Sequence, residues 1–366
     1  MGDEKWQKVL VLQTSFLGDT VLTLPLLNAI KRCFPGTKLN LLCSPHAKEL
    51  LQDQLNVDEI IVDDKKGADK GWSGLWRQAK KLRQRGFTLA ISPHKSLRSA
   101  LLLFLARIPC RVGFSQSKGW FLYNSRTKRT AENHDVERNL SILKALGINL
   151  ASCQRSFELG VTPRSQQTVD HLFQSLGLDK AKFLVGINPG SAWPTKRWMA
   201  EGFARVVELL KRKYDCDVAL FGGPDDTAVT EKIESLCRER AVNLAGKISL
   251  RELPAAISRC RLFITNDSGP MHIAVARDIP TVVIFCATTP SLGFYPYSSK
   301  AVVVETALPC RPCSSHGGRR CPLGTEDCIR RVSPDRVMEA VEKLLRNEEA
   351  GQPPNRDVLE PEFMVV

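Results

Sequence analysis

Between His94 and Thr130 the chain carries no aspartate or glutamate, although Lys95, Arg98, Arg107, Arg111, Lys118, Arg126, Lys128 and Arg129 all fall there. Basic runs are commonly no more than solvated faces. The complete lack of acids over a segment that also holds apolar residues points instead to an anionic partner: phosphates on a lipid surface, a nucleic acid or a phosphorylated glycan. No aromatic-interleaved platform or recognition-helix motif accompanies the field, so nucleic acid is not an expected partner. Long apolar runs are also missing. The first, Val9-Leu10-Val11-Leu12, is too short for a signal or a span, and Leu101–Ala106 is bracketed by Arg98 and Arg107, so it reads as a core or interfacial helix. The expectation is a cytoplasmic protein, peripherally associated with the inner face of the cytoplasmic membrane. There is no tandem repeat or low-complexity array.

Cysteine is not scarce, but its spacing excludes the paired-knuckle CxxC…CxxC arrangement. Cys33, Cys43, Cys110, Cys153, Cys216, Cys237, Cys260 and Cys286 lie scattered in apolar surroundings and read as reduced, buried, small hydrophobes. Cys310, Cys313, Cys321 and Cys328 cluster in sequence. A structural four-thiolate metal site with His316 as a substitute ligand, a redox-linked pair and a simply Cys-rich loop all fit that spacing. None of these gives the cluster a catalytic role.

At 366 residues the chain exceeds one ordinary core, so two domains are expected. Hydrophobic residues at 43% and charged residues at 25% suit a soluble globular enzyme, and the net charge of +13 is the departure. Short β runs alternate with amphipathic helices, which argues for parallel α/β sheets. Strands are predicted at 8–12, 38–43, 59–62, 88–91, 183–188, 217–221, 261–265 and 281–285, the last being the final clear one. Two consecutive cycles of similar size suggest two Rossmann-like domains, residues 1–165 and 166–333, facing across a cleft. The helix 334–346 is expected to pack back on the first domain, and 347–366, Pro- and acid-rich without a period, to be a disordered tail.

The chemistry-bearing segments sit at strand ends. Thr265-Asn266-Asp267-Ser268-Gly269-Pro270-Met271-His272 follows an apolar strand and opens a helix. Free amides at a helix start bind anions, Gly269 permits close approach, and His272 lies one turn in. Asn188-Pro189-Gly190-Ser191, followed by Lys196-Arg197-Trp198, suits a diphosphate, with Ser191 donating and Lys196 neutralising charge. It lacks Walker spacing, and Trp193 and Trp198 read as packing. Gly222-Gly223-Pro224-Asp225-Asp226 places acids where ribose hydroxyls are commonly received, though in isolation a turn followed by a helix cap is the favoured reading. Ile248 is an adenine wall or a core-edge residue. Thr14-Ser15-Phe16-Leu17-Gly18-Asp19 ends the first strand. Asp19 is a helix cap on physics alone, and a general base if it stands at the mouth of a cleft. Four such segments at successive strand ends favour one nucleotide-diphosphate site.

Together these segments resemble glycosyltransferase family 9, the ADP-heptose:lipopolysaccharide heptosyltransferases, from Lys8 to about Leu345. The stretch Cys310-Arg311-Pro312-Cys313 with Cys321-Pro322-Leu323-Gly324 and Cys328 resembles the heptosyltransferase II members, and His134-Asp135-Val136-Glu137-Arg138-Asn139 a recurring family segment. The resemblance implies a GT-B fold, an N-terminal acceptor domain and a C-terminal ADP-sugar domain. It implies inverting transfer of heptose from ADP-L-glycero-D-manno-heptose to a lipid A–Kdo–heptose acceptor, with no cofactor required. By the same resemblance Asp19 is the catalytic base. Ser191, Lys196, Asp226, Asp267, Ser268, Gly269 and His272 match the family's donor-binding residues, and Ile248 joins this donor-binding set from its position alone. The basic segment, with Lys95, Arg98, Arg111 and Arg126, would hold the acceptor's phosphates and acidic sugars near the inner leaflet. Two positions depart from the family pattern: Gln13 at the end of the first strand, and Pro270 where an aliphatic residue is usual. The rival readings are a family 9 transferase with another acceptor or nucleotide sugar, and a non-catalytic nucleotide-sugar-binding module in which Asp19 only caps its helix.

Overall fold

The computed structural model describes residues 6–130, 133–157, 159–178, 182–349 and 359–366. The chain divides into two compact units, Met1–Gly160 and Val161–Val366, so the boundary falls five residues before the expected one.

The first unit is a six-stranded parallel sheet in the order β3-β2-β1-β4-β5-β6. Its strands are β1 (Lys8–Gln13), β2 (Lys38–Cys43), β3 (Glu59–Val62), β4 (Leu89–Ser92), β5 (Cys110–Phe114) and β6 (Ser125–Thr127). Its helices are α1 (Leu17–Val21), α2 (Leu24–Cys33), α3 (Pro45–Leu51), α4 (Gly71–Gln84), α5 (Leu97–Leu105) and α6 (Asp135–Ser141). The central strand β1 is an unbroken apolar run because both faces of a parallel sheet are covered by helices. Val9, Leu10, Val11 and Leu12 are all buried. Leu75, Ala79 and Leu82 of α4 and Ala100, Leu102 and Leu103 of α5 close one core over Leu10, Leu12 and Ala90. Chain order reverses between β1 and β4, whose carboxyl ends define the switch point where open α/β sheets receive ligands.

The second unit is a seven-stranded parallel sheet, β13-β12-β11-β10-β7-β8-β9. Its elements run α7 (Pro163–Ser175), β7 (Phe183–Asn188), α8 (Ala200–Lys213), β8 (Cys216–Leu220), α9 (Thr227–Leu236), β9 (Val242–Asn243) and α10 (Leu253–Ile257). They continue with β10 (Leu262–Asn266), α11 (Gly269–Ala276), β11 (Thr281–Phe285), β12 (Ala301–Glu305), α12 (Asp327–Arg330), α13 (Pro334–Glu349) and β13 (Glu362–Val365). Here the order reverses between β7 and β10.

Three expectations for the C-terminal region are corrected. β11 is not the last strand, since β12 and β13 extend the sheet beyond it. The terminal helix belongs to the second unit, not the first. Val337, Met338, Val341, Leu344 and Leu345 join the core formed with α8, β11 and β12. That i, i+4, i+7, i+8 stripe covers apolar sheet surface that β12 creates. Of the expected tail, residues 350–358 lie outside the described residues, but Glu362–Val365 is an ordered edge strand. It pairs in parallel with Val302–Glu305, and Phe363 meets Tyr295 edge-to-face at 6.0 Å. Acid-rich composition masked a short Phe-Met-Val run able to complete β12.

Candidate functional site

In the first unit, the loop after β1 is fixed from within. Gln13 is buried, its side-chain amide reaching Thr23 Oγ1 and its oxygen accepting from the Ser15 N–H, both at 3.3 Å. Lys65 Nζ donates to the Thr14 carbonyl at 2.5 Å. His94, just past β4, brings Nδ1 to 3.4 Å from Thr14 Oγ1 and 3.0 Å from Ser99 Oγ. Burial, with Lys65 nearby, pushes the His94 imidazole down to about 4, so it is neutral at pH 7. The two carboxyl ends at the switch are therefore tied together directly.

Asp19 stands in the first turn of α1, half-buried, and Oδ2 accepts the Phe16 N–H at 3.2 Å. The capping part of its expected behaviour is thus realised. It also faces charge. The buried Asp135 has its carboxyl pushed up by burial and by Asp19, against the pull of Arg129 and Arg138. Arg129 pairs with Asp135, and Arg138 approaches the same oxygen at 3.8 Å. Lys95 is exposed and senses Arg129, Asp135 and Arg138. Asp19 therefore borders a group of cations already part-neutralised by one buried carboxylate, and Arg129 Nε has no partner among the described residues.

The four expected acceptor cations divide. Lys95 is exposed, and so is Arg126, whose guanidinium sits 5.1 Å over the Trp120 ring. Arg98 is spent inside the unit, on buried Asp63 at 2.7 Å and the Asp69 carbonyl at 3.0 Å. Arg111 is spent likewise, on the Leu122 and Ile108 carbonyls at 2.9 and 2.6 Å.

In the second unit, the loops after β7 and β10 interlock at the switch. Asn266 Nδ2 donates to the Pro189 carbonyl at 2.7 Å, while its Oδ1 accepts the Trp198 N–H at 3.0 Å. Asn188 Nδ2 donates to the Gly190 carbonyl at 3.2 Å and reaches the Thr265 and Ser268 hydroxyls at 3.5 Å. These bonds hold Lys196 against Asp267, with Nζ 2.7 Å from Oδ2, and Thr288 Oγ1 donates to that same oxygen at 2.7 Å. His272, in the first turn of α11, is buried beside this pair, and its Nδ1 has no hydrogen-bond partner among the described residues. Burial, then Lys196, pushes it down to about 3. It is a neutral imidazole at pH 7, offering a ring N–H or a lone pair and no charge.

The loop after β8 is equally packed. Asp226 accepts the Gly223 N–H at 3.1 Å, and its other oxygen lies 3.5 Å from Arg197, whose Nε donates to the Ser191 carbonyl at 2.7 Å. Burial raises the Asp226 carboxyl. Only glycine fits at position 190, because a Cβ there would stand 2.4 Å from the Asp226 carboxylate. Ser191 is buried in the same loop, and Ile248 lies half-buried after β9. Thus Ser191, Lys196, Asp226, Asp267, Ser268, Gly269 and His272 gather around one sheet edge, and Ile248 stands on a neighbouring loop. Trp198 is core, its Nε1 donating to the Val332 carbonyl at 3.1 Å.

The Cys-bearing segment buttresses this edge. Arg311, with its side chain 2% exposed, pairs with Glu305 at 2.9 Å. It also donates to the carbonyls of Cys286, Thr306, Phe285 and Thr288. Gly318 N donates to Thr195 Oγ1 at 2.8 Å, and the Thr195 N–H returns to the Gly318 carbonyl at 3.2 Å. Gly317 adopts φ +84°, and a Cβ there would press on Lys196 Cγ at 2.8 Å. Cys310, Cys313, Cys321 and Cys328 are free thiols. Among the described residues no three His, Cys, Asp or Glu side chains are arranged to hold a metal ion. Of the eight scattered cysteines, Cys33, Cys110 and Cys237 are half-buried and the rest buried. Thr288, Thr195, Arg311 and Asn266 were not singled out as site residues; a hydroxyl-rich run immediately after β11 was the available signal for Thr288.

Residues 75–322 match the profile of glycosyltransferase family 9 (heptosyltransferase). Lipooligosaccharide heptosyltransferase 2 of Campylobacter jejuni (strain 81116) is 28% identical over 342 residues, covering 92% of this chain and 99% of that protein. Lipopolysaccharide heptosyltransferase 3 of Escherichia coli K12 is 30% identical over 74% of this chain and 80% of its own length. The crystal structure of the family 9 glycosyl transferase from Veillonella parvula superposes with a TM-score of 0.85 at 26% identity, covering 94% of this chain and 99% of that one. Among the described residues no helix is long and apolar enough to cross a membrane. With two parallel α/β units of the GT-B type and a family profile spanning both, the chain belongs to glycosyltransferase family 9 and is a glycosyltransferase.

Proposed function

We propose that the chain transfers heptose from ADP-L-glycero-D-manno-heptose to a heptose of the lipopolysaccharide inner core, with heptosyltransferase II specificity and inversion at the anomeric carbon. The observation that carries the reading is the Lys196–Asp267 pair beside a buried His272 whose Nδ1 lacks a partner. An orphaned buried nitrogen next to a cation at a switch point is a site waiting for an anionic, hydrogen-bonding ligand.

In this reading the diphosphate lies against Lys196, Ser191 and the amides opening α11, and Asp226 receives the nucleoside with Ile248 as a wall. Asp19 takes the proton from an acceptor hydroxyl. The oxygen then attacks the anomeric carbon in line as the bond to the diphosphate breaks, and ADP leaves with its developing charge met by Lys196 and the amides. In this reading no metal is required, and Lys196, Ser191 and the α11 amides are the groups that meet the diphosphate. Lys95 and Arg126 meet the phosphates of the lipid A–Kdo–heptose acceptor, while Arg98 and Arg111 hold the basic segment in shape. The enzyme works from the cytoplasmic side, at the inner leaflet.

The relatives named heptosyltransferase 2 and 3 stand at similar identity, so the decisive test is an acceptor panel. ADP release from ADP-heptose is measured with heptosyl-Kdo-lipid A, with more extended cores, and with analogue donors in parallel. Turnover on heptosyl-Kdo-lipid A supports the proposal. Release only on a different acceptor removes the heptosyltransferase II assignment and keeps the family, and ADP-sugar binding without turnover on any acceptor favours a binding module.

A further inference from the structure

The outer surface of the first unit carries a feature that the transfer chemistry does not use. Apart from Arg98 and Ser99, α5 is built of apolar residues, and they are not confined to its inward face. Ala100, Leu102 and Leu103 enter the core, yet Leu97 and Phe104 point outward and are exposed. Large apolar side chains left exposed together, rather than singly, mark an interaction surface. Against this outward face lies the 3-10 turn Trp120–Leu122. Gly119 abuts Leu97 and Ala100, and Arg111 spans the far end, stacked 5.6 Å from the Phe104 ring with its Nε on the Leu122 carbonyl. Trp120 and Phe121 then stand outward, edge-to-face at 6.0 Å and 48% and 61% exposed. Neighbouring α4 continues the layer. Its outer stripe is Trp72, Trp76, Lys80 and Arg83, with Trp72 68% exposed.

Charge completes the description. The acid-free stretch begins well before His94: no aspartate or glutamate occurs from Lys70 to Thr130. Exposed Lys80, Arg83, Arg107, Lys118 and Arg126 therefore rim the aromatic residues without an opposing carboxylate on α4, α5 or the turn. Outward aromatics within a purely cationic rim suit an interface whose interior is apolar and whose surface is anionic. The layer also adjoins the acceptor side, because the Lys118 N–H donates to the Lys95 carbonyl at 3.1 Å.

We infer that Leu97, Phe104, Trp120 and Phe121, with Trp72 and Trp76 alongside, form a docking surface for an anionic phospholipid bilayer. The aromatic rings enter the headgroup region, and Arg107, Lys118, Lys80 and Arg83 meet lipid phosphates. This deepens the acceptor reading above, since it seats Lys95 at the surface where a lipid-borne acceptor is anchored.

The test is co-sedimentation of the full chain with phosphatidylcholine vesicles containing about 30% phosphatidylglycerol, against phosphatidylcholine alone. The wild type is expected to bind the anionic vesicles at least tenfold more tightly, and added salt should weaken that binding. The double variant Trp120→Ser/Phe121→Ser and the charge variant Arg107→Glu/Lys118→Glu are each expected to lose most of the binding. Both should keep the wild-type circular dichroism and turnover on a deacylated, water-soluble acceptor. Turnover on vesicle-embedded acceptor should fall with binding. Failure of the wild type to bind anionic vesicles overturns the inference, as does unchanged binding by both variants or a dimer that Trp120→Ser/Phe121→Ser dissociates. Vesicle binding lost in the variants without heptose transfer by the wild type keeps the docking surface and overturns the function. Transfer without vesicle binding does the reverse.

Discussion

Gly190→Ala tests the proposed donor site through a single methyl group. The added carbon would stand 2.4 Å from Cγ, Oδ1 and Oδ2 of Asp226, and reaching ordinary contact requires the carboxylate to move by about 1 Å. Asp226 cannot move that far and keep the 3.1 Å bond from Gly223 N–H. A carboxylate moved off that anchor also loses its place against the nucleoside, and one lost ligand hydrogen bond to a charged group, about 1.5–3 kcal/mol, converts to a loss of roughly 10- to 100-fold in affinity. The assay is calorimetric titration with ADP, repeated on Asp226→Ala. Removing the carboxylate removes what the methyl strikes, so Gly190→Ala should add little on that background, giving a coupling energy above about 1 kcal/mol. An unchanged ADP affinity in Gly190→Ala, or the same fold loss on both backgrounds, would show that Asp226 does not contact the nucleoside.

Arg311→Leu should destabilise the second unit by about 3–5 kcal/mol, because it strands the Glu305 carboxylate and four buried carbonyls; urea unfolding checks this, and a loss under about 1 kcal/mol contradicts it. Lys196→Gln should lower ADP affinity by about tenfold or more, read by the same titration, and an unchanged affinity would separate Lys196 from the diphosphate. His94 and His272 are pushed down to about 4 and about 3 in the folded chain, against about 6.5 unfolded. The unfolded chain therefore binds more protons over that interval. The stability is complete above about pH 6.5 and is lost as the pH falls toward 4, at about 1.4 kcal/mol per pH unit for each histidine. Urea midpoints at pH 7 and 5 should show this, with His272→Gln losing less than wild type; an equal loss in the two proteins contradicts the assignment.

Much of this was legible in the residues. Parallel strands buried on both faces read as unbroken apolar runs, so 38–43, 59–62, 183–188 and 281–285 coincide with β2, β3, β7 and β11. That the segments after β7, β8 and β10 gather at one sheet edge was legible because strand-end loops carry small and hydroxyl residues next to helix starts. Illegible parts share a cause: they depend on distant partners. β13 is four residues in acid-rich surroundings and exists because β12 offers an edge. α13 carries its own amphipathic stripe, but the sequence does not say which sheet the stripe covers. A basic run likewise does not reveal that Arg98 and Arg111 are consumed internally while Lys95 and Arg126 are exposed. The pairing of Lys196 with Asp267 joins loops far apart in the chain, and only the topology at the β7–β10 switch brings them together.

The role of Asp19 beyond capping α1, removal of the proton from the acceptor hydroxyl, is the step on which the proposed transfer turns. Asp19→Asn keeps the shape and an oxygen to accept the Phe16 N–H, but removes the basicity. Its turnover on heptosyl-Kdo-lipid A is measured beside its affinity for ADP-heptose. Turnover is expected to fall by about 10²-fold or more, with donor affinity within about twofold of wild type. Near-normal turnover by Asp19→Asn would contradict that role.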